Sequence, residues 1–261
     1  MKIAIVTGAS SGMGREFVLQ IQKQHPKLQE IWVIARRTQK LEMLPSKPIP
    51  IRILSLDLIS KEDQESYRKE LEEYAPQVQL LIHCAGMGFL GRMDEISAED
   101  QIKETQLNCE ALAAVILYAI PYLSAGSRIV TLASSSGFAP QPGFGVYAAT
   151  KAYALSFTRT LRAELREKKI TVTAVCPGPV NTPFFEIAER GAKRPAWKSV
   201  FLADPKKVVR KAMTDSEKGR ELSIYGVWMK IWYVAAKLIP HGLVLAVLSH
   251  TGRKEKAHKK G

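Results

Sequence analysis

Residues 2–14 read Lys2-Ile-Ala-Ile-Val-Thr7-Gly8-Ala-Ser10-Ser11-Gly12-Met13-Gly14, an apolar run that leads directly into a glycine-rich turn. The apolar run is short and rich in β-branched residues, which is typical of a strand buried on both faces of a sheet. Residues Arg15–Gln24 follow with helix-like spacing of their apolar side chains. The segment therefore predicts a strand, a tight turn and a helix, in that order.

The glycine-rich turn is suited to holding a phosphate group. Glycine allows the backbone to turn tightly and to approach a pyrophosphate closely, and the charge of that group is stabilised at a helix N-terminus. The spacing here is G-x-x-x-G-x-G, not the commoner G-x-G-x-x-G. Taken alone, the motif leaves open a glycine-rich turn that binds nothing.

Strand-like and helix-like runs alternate along the rest of the chain, which predicts an α/β fold: a single doubly wound parallel sheet of about seven strands with helices on both faces. The predicted strands are Ile3–Thr7, Ile31–Ala35, Ile51–Leu56, Leu80–His83, Arg128–Ala133, Thr171–Cys176 and Glu221–Tyr225. The predicted helices are Arg15–Gln24, Lys61–Tyr74, Ala98–Leu123, Val146–Lys168 and Pro205–Thr214. No repeat or linker marks a second domain within residues 1–225.

Tyr147 and Lys151 lie four residues apart, so a helix presents both side chains on one face. A cation near a phenol favours the phenolate, so we expect the pKa of Tyr147 to lie below its usual value of about 10. Asn108 lies inside an apolar helical run, where asparagine is unfavourable, and Ser134 follows a predicted strand at the sheet edge where such folds bind ligands. A chance Tyr–Lys pair and a satisfied polar Asn108 are the alternatives.

Composition excludes several other classes of protein. The formal net charge of +13 could attract anionic partners, but no nucleic-acid-binding motif accompanies it, so we expect no nucleic-acid partner. Cys84, Cys109 and Cys176 are far apart and are expected to be reduced core residues, not metal ligands. Because the first residues already form a predicted strand, we expect no secretory leader and a cytoplasmic protein.

Together these segments resemble the short-chain dehydrogenase/reductase family over residues 1–225, and the chain looks similar to its DltE-like subset. Ser134 precedes Tyr147 by the family's usual thirteen residues. One motif departs from the pattern, because His83 and Cys84 stand where the family often has two asparagines, and we expect His83 to be a core residue. The matching motifs are T-G-A-S-S-G-M-G at 7–14, D-L at 57–58, H-C-A-G at 83–86, Asn108, Ser134, Tyr147 with Lys151, and P-G-P-V-N-T at 177–182.

The resemblance implies an oxidoreductase that moves hydride between a nicotinamide and a carbonyl carbon, with Asn108, Ser134, Tyr147 and Lys151 as its catalytic tetrad. Tyr147 would exchange the proton and Ser134 would donate a hydrogen bond to the carbonyl oxygen. Lys151 would hold the ribose, and Asn108 would position a water. The resemblance also implies coenzyme contacts at Gly8, Ser10, Ser11, Gly12, Met13, Gly14, Arg36, Arg37, Asp57, Leu58, Cys84, Ala85, Gly86, Asn108, Tyr147, Lys151, Pro177, Gly178, Val180 and Thr182, and substrate contacts at Ser134, Phe144, Tyr147 and Phe184.

The second predicted strand ends in Ala35-Arg36-Arg37 and carries no acid there. Dinucleotide-binding folds that select NAD place an acid at this point, whereas a base accommodates the 2′-phosphate of NADP. Arginine binds phosphate through a planar fork of donors. We therefore expect NADP(H). The family resemblance implies that Arg36 is the direct contact, with Arg37 stacking or assisting, although two exposed arginines that bind nothing remain the alternative.

By resemblance, residues 182–204 form a lid over the substrate. Its aromatic residues, with Phe89, Phe138 and Phe144 in other loops, suggest a lipophilic substrate, but they could equally pack the lid. The lid aromatics are Phe184, Phe185, Trp197 and Phe201.

Residues 226–261 form an extension beyond the expected catalytic domain. Val227–Ile239 has helical character, Pro240 interrupts it, and the last eleven residues carry a net charge of +4. A spanning helix is not expected, because Lys230, Lys237 and Pro240 divide the apolar run. The extension either covers the substrate cleft, forms an oligomer contact, or binds a membrane surface peripherally.

Two further expectations concern partners and chemistry. The family commonly forms dimers or tetramers through its long helices, and Leu155, Phe157 and Leu161 offer an apolar stripe for a homodimer or homotetramer. The functional alternative to an enzyme is a catalytically silent NADP(H)-binding sensor or scaffold, which would not need the whole tetrad.

Overall fold

The computed structural model describes residues 1–189 and 202–246, which contain one seven-stranded parallel sheet of order β3-β2-β1-β4-β5-β6-β7. This confirms the predicted doubly wound α/β fold. The strands are β1 Lys2–Thr7, β2 Glu30–Ile34, β3 Ile51–Leu54, β4 Gln77–His83, β5 Leu123–Leu132, β6 Thr171–Val175 and β7 Leu222–Ser223.

Helices cover both faces of the sheet, because its central strands are apolar on both sides. One core lies between the sheet and α1, α2 and α8, and the other lies between the sheet and α3, α5, α6 and α9. The helices are α1 Gly12–Gln24, α2 Thr38–Glu42, α3 Lys61–Tyr74, α4 Ala98–Thr105, α5 Ala111–Ala119, α6 Gly145–Glu164, α7 Phe184–Ala188, α8 Pro205–Glu217 and α9 Val227–Leu238.

The strand order reverses between β1 and β4, each of which pairs in parallel with the other. β1 also pairs with β2. The chain therefore adds β2 and β3 on one side of β1 and then returns to add β4 on the other side. The carboxyl ends of strands flanking such a switch point form the crevice in which open α/β sheets bind ligands. The glycine-rich turn after β1 and the H-C-A-G motif after β4 both lie there.

The prediction of one helix over Ala98–Leu123 is wrong in its detail. The segment consists of α4, a π-helical turn over Gln106–Glu110, α5 and a 3₁₀ turn over Ile120–Tyr122. Pro121 interrupts regular helical bonding near the end of α5, and Leu123 already begins β5. β5 is therefore longer than predicted.

The prediction that α6 offers an apolar stripe for contact between copies of the chain is also wrong for two of its three residues. Leu155 and Leu161 are buried in the core, whereas Phe157 is only partly buried and stacks on the exposed Tyr153. Helix α6 turns these leucines toward the sheet, so the outward apolar surface is aromatic.

The C-terminal extension packs against the rest of the molecule through α9. Trp232 Nε1 donates a hydrogen bond of 3.2 Å to the carbonyl oxygen of Ser135, and Tyr233 packs edge-on against Phe138 at 5.0 Å. Residues 241–246 are again helical. Within the described residues no helix has the length and apolarity to span a bilayer. Trp197, Phe201 and the basic tail lie outside the described residues.

Candidate active site

The glycine-rich turn folds tightly between β1 and α1 because three of its positions exclude a side chain. Gly8 has φ +65°, and a Cβ there would lie 2.9 Å from the backbone nitrogen of Ala85. A Cβ on Gly14 would collide with the carbonyl oxygen of Gly8. Gly12 has φ +54° and lies against Thr182, whose Cβ is 3.3 Å from the ideal Cβ position. The turn is a backbone cradle at the N-terminus of α1, an arrangement that fits a dinucleotide pyrophosphate.

A buried hydrogen-bond network joins the cradle to β4. Thr7 Oγ1 lies 3.2 Å from His83 Nδ1 and accepts bonds from the backbone N–H groups of Cys84 and Ala85. Burial, assisted by the charge of Lys151, lowers the pKa of His83 to about 3. His83 is therefore a neutral core residue that braces the strand ends.

Arg37 and Arg36 occupy different positions beside the cradle. Arg37 Nη2 donates bonds of 2.8 Å to Ser10 Oγ and to Ser11 Oγ. Arg36 is exposed, with its Nη1 3.6 Å from Asp57 Oδ2. Arg37, which we expected to assist, is thus the arginine bound to the glycine-rich turn. Arg36, which we expected to be the direct contact, faces Asp57 near the end of β3.

The π-helical turn directs Asn108 into the molecule. Asn108 Oδ1 accepts from the Met87 N–H, and Nδ2 donates to the Met87 carbonyl and to Thr150 Oγ1. A Cβ on Gly86 would lie 3.0 Å from Asn108 Oδ1 and 3.3 Å from Lys151 Nζ. Asn108 and Lys151 therefore converge on Gly86, and Asn108 is a fully bonded polar residue adjacent to the lysine.

Lys151 is 5 % exposed and extends from α6 toward the end of β5. Its Nζ donates a hydrogen bond of 2.8 Å to the Leu132 carbonyl and lies 5.5 Å from the centre of the Tyr147 ring. Burial lowers the pKa of Lys151 to about 8, although nearby Cys84, Cys109, Glu104 and Cys176 act in the opposite direction. The ammonium is therefore easily neutralised near physiological pH.

Tyr147 is packed among aromatic side chains. Its ring stacks on Phe144 with centroids 4.2 Å apart and lies 5.4 Å from Phe184. The expectation of a lowered Tyr147 pKa is wrong for this structure, because burial raises the pKa and outweighs a hydrogen bond with Ser134 that lowers it. Spacing in the sequence contains no measure of this desolvation.

Among the expected substrate residues, Phe144, Tyr147 and Phe184 pack together, and Ser134 is hydrogen-bonded to Tyr147. Phe144, Tyr147, Leu90 and Ala188 form a small apolar cluster, against which Phe184 and Phe185 pack. Phe138, in contrast, packs against Tyr233 of α9.

The remaining expected coenzyme residues surround the same sheet edge. Gly178 lies under α9, since a Cβ there would be 2.6 Å from Met229 Sδ. The Pro177 carbonyl accepts a bond from the Ser135 N–H, and Val180 pairs with Ala203 in an isolated bridge. The Leu58 and Met13 side chains pack toward the two cores.

Sequence reasoning missed four residues that contribute to the site. Glu104 is a buried acid one helical turn before Asn108, a spacing that could have drawn attention to it. Gly88 lies against Tyr147, and Met229 of the extension lies against Gly178. Trp232 donates a hydrogen bond to the carbonyl oxygen of Ser135 in the serine turn, which comprises residues 134–137. The contacts of Gly88, Met229 and Trp232 have no signal in the local sequence.

Comparison with known proteins yields matches over most of the chain. The family model described as short chain dehydrogenase matches residues 2–192. An uncharacterized oxidoreductase of Staphylococcus epidermidis is 29% identical over 196 residues, covering 74% of this chain and 84% of that protein. Sulfoacetaldehyde reductase 2 of Chromohalobacter salexigens is 30% identical over 189 residues, covering 70% and 74%.

Solved structures share the fold. A short-chain dehydrogenase from Sphingobium yanoikuyae in complex with NADPH superimposes with a TM-score of 0.78 at 24% identity, covering 95% of this chain and 96% of that one. A short-chain dehydrogenase/reductase from Burkholderia phymatum in complex with NAD gives a TM-score of 0.76 at 20% identity, covering 91% and 92%.

Proposed function

The chain belongs to the short-chain dehydrogenase family, and from that membership we propose that it is an NADP(H)-dependent oxidoreductase interconverting a lipophilic carbonyl compound and an alcohol. The observation that carries the proposal is the meeting of Ser134, Tyr147, Lys151 and Asn108 at one sheet edge beside a glycine cradle. These residues come from the end of β5, from α6 and from the π turn.

In this proposal a nicotinamide coenzyme, when bound, would supply a hydride for the carbonyl carbon. Tyr147 transfers its phenolic proton to the carbonyl oxygen, which becomes the hydroxyl of the alcohol, and Ser134 donates a hydrogen bond to the same oxygen. Lys151, when protonated, stabilises the phenolate that Tyr147 leaves behind. Asn108 holds Met87 in place through two hydrogen bonds and joins it to Thr150 of α6 through a third. In alcohol oxidation Tyr147 accepts the proton.

The NADP(H) preference is supported by the two arginines after β2. Arg37 is held by Ser10 and Ser11, and Arg36 is exposed at the neighbouring edge, so two cations border the adenosine end of the crevice. A 2′-phosphate would be bound there by guanidinium donors. Asp57 is the acid that pairs with Arg36, and its carboxylate is the group with which a 2′-phosphate would compete.

The substrate class is supported by the cluster of Phe144, Leu90 and Ala188 around Tyr147. Apolar pockets with few polar groups favour lipophilic ligands. Ser134 and Tyr147 contribute hydroxyl groups beside that cluster, which suits a substrate with a carbonyl or hydroxyl at its reacting end.

The proposal includes a peripheral membrane contact through the extension from residue 226. One face of α9 packs on the serine turn, and the other carries an exposed apolar stripe that includes Trp228 (67% exposed), Ile231 and Leu238 (77% exposed). Lys230 and Lys237 are exposed beside that stripe, and the last eleven residues add a net charge of +4. An apolar stripe with tryptophan and flanking cations suits an anionic lipid surface.

A cytoplasmic homo-oligomer completes the proposal. The three cysteines are free thiols, as expected in a reducing compartment. Ile102, Leu117 and Tyr153 are exposed on α4, α5 and α6, the helices through which we expect copies to pair.

The test is NADPH oxidation against a panel of ketones, aldehydes, quinones, steroids and 3-oxoacyl thioesters. We expect turnover of a lipophilic member, with kcat/KM higher for NADPH than for NADH. Replacing Tyr147 by Phe should retain NADPH binding and lower kcat by several orders of magnitude, because the proton donor is lost. Binding without turnover of any panel member would instead favour the sensor or scaffold, and an NADH preference would contradict the role given to the arginines.

A further inference from the structure

Glu104 is a buried acid for which the proposed reaction has no role. Its residue is 1% exposed, in the last turn of α4. The carboxylate accepts a hydrogen bond from the Phe89 backbone, while Oε1 is buried with no hydrogen-bond partner in the described parts of the chain. Burying an acid with an unsatisfied oxygen is costly unless a neighbouring charge compensates it.

The groups that interact with Glu104 belong to the candidate site. Lys151 of α6 lowers the pKa of Glu104. Glu104 in turn raises the pKa values of Tyr147 on α6 and of Cys109 in the π turn. The loop after β4 contributes the backbone of Phe89. Lys151 is the cation in this set, and it is itself buried.

We propose that Glu104 is a positioning residue for the Tyr147–Lys151 pair, serving as the buried counter-charge that keeps the lysine protonated. The effect of Glu104 on catalysis rests on the proposed function, whereas its effect on the charge of Lys151 does not. A carboxylate favours the ammonium form of Lys151 and opposes the phenolate form of Tyr147, so it acts on both members of the pair.

Glu104 is also able to change charge under working conditions. Burial raises its pKa to about 7, with Lys151 acting in the opposite direction. Below neutral pH the protonated acid leaves Lys151 and Tyr147 with lower pKa values, and above neutral pH the carboxylate raises both. Glutamine at this position retains the shape and removes the charge at every pH.

The first test compares pH profiles of kcat/KM for alcohol oxidation in the wild type, in Glu104→Gln and in Glu99→Gln. Glu99 is an exposed acid on the same helix and serves as the matched control. In Glu104→Gln the rising limb should move to lower pH by at least about one unit, because the substitution removes a negative charge that opposes formation of the Tyr147 phenolate. A loss of rate with an unmoved profile would overturn the proposal.

The second test needs no turnover. Lysine labelled with ¹³C at Cε reports its own titration by NMR, and the Lys151 resonance is assigned by its loss in Lys151→Met. Its midpoint should fall by a comparable amount in Glu104→Gln and stay unchanged in Glu99→Gln. An unchanged midpoint in both would overturn the counter-charge. A lowered midpoint in a protein that reduces no carbonyl would retain the counter-charge and reject the proposed reaction.

Discussion

Tyr147 and Lys151 lie on one face of α6, and both are nearly enclosed. Burial raises the pKa of the phenol and lowers that of the ammonium to about 8, so desolvation favours the neutral form of each group. Charges that reach the pair from other elements therefore decide how readily the proton moves. The same desolvation acts on His83, which lies at the end of β4 and is 3% exposed.

The pKa of His83 gives a prediction for stability. The folded pKa of about 3 lies below the unfolded value of 6.5, so the unfolded chain binds the proton first as pH falls. The stabilisation is complete above pH 6.5 and is lost toward pH 3. Chemical denaturation should show the free energy of unfolding of the wild type falling by about 2 kcal/mol more between pH 7.5 and pH 5 than that of His83→Asn.

His241 provides the control for this measurement, because it is an exposed histidine. His241→Asn should follow the wild-type curve. Parallel curves for the wild type and His83→Asn would show that His83 does not titrate as inferred.

At the scale of elements, the π turn between α4 and α5 decides where Asn108 points. A regular helix would leave an internal asparagine competing for backbone bonds, whereas this turn places its amide against both polar groups of Met87. The loop after β4 is thereby fixed against α6. The close approach of that loop to Tyr147 requires a residue without a side chain at Gly88.

Gly88→Ala should therefore displace Tyr147. An added Cβ would lie 2.5 Å from Tyr147 Cδ2, too close for any real contact. We expect kcat to fall at least about tenfold, as a barrier increase of roughly 1.4 kcal/mol produces, while NADPH affinity measured by fluorescence is retained.

Gly242→Ala is the matched control, since no heavy atom lies within 4 Å of its ideal Cβ. Equal kcat in the two variants would contradict the inferred packing of the loop on Tyr147.

At the scale of the whole molecule, the extension links the sheet edge to the outer surface. Met229 and Trp232 contact the edge, while Trp228, Ile231 and Leu238 face outward on the same helix. A substrate leaving a bilayer would therefore meet the side of the molecule that carries the candidate site. The apolar stripe is the part of this arrangement that substitution can test without disturbing the packed face.

Vesicle co-sedimentation should reveal the proposed membrane contact. The full chain is expected to sediment with anionic vesicles, less with zwitterionic ones, and less as salt rises, because screening weakens the attraction. Ile231→Glu with Leu238→Glu should abolish sedimentation without loss of the fold by circular dichroism. Met43→Glu, at a methionine 78% exposed elsewhere on the surface, is the control.

The alternative is that the apolar stripe binds a second copy of the chain. In that case the wild type would not bind vesicles, and light scattering would show a molar mass that rises with protein concentration in the wild type but not in the double variant. That result would contradict the membrane contact and leave the enzymatic proposal unaffected.

Periodicity and spacing within short segments were sufficient to predict the alternating strands and helices, the glycine-rich turn and the Tyr147–Lys151 face, because each depends on neighbours along the chain. Only the folded molecule decides the direction in which the Tyr147 pKa is shifted and the attachment of Arg37 to Ser10. The same holds for the counter-charge at Glu104 and for the packing of α9 on the serine turn. These features depend on desolvation and on distances between segments remote in sequence, and neither quantity exists until the chain has packed.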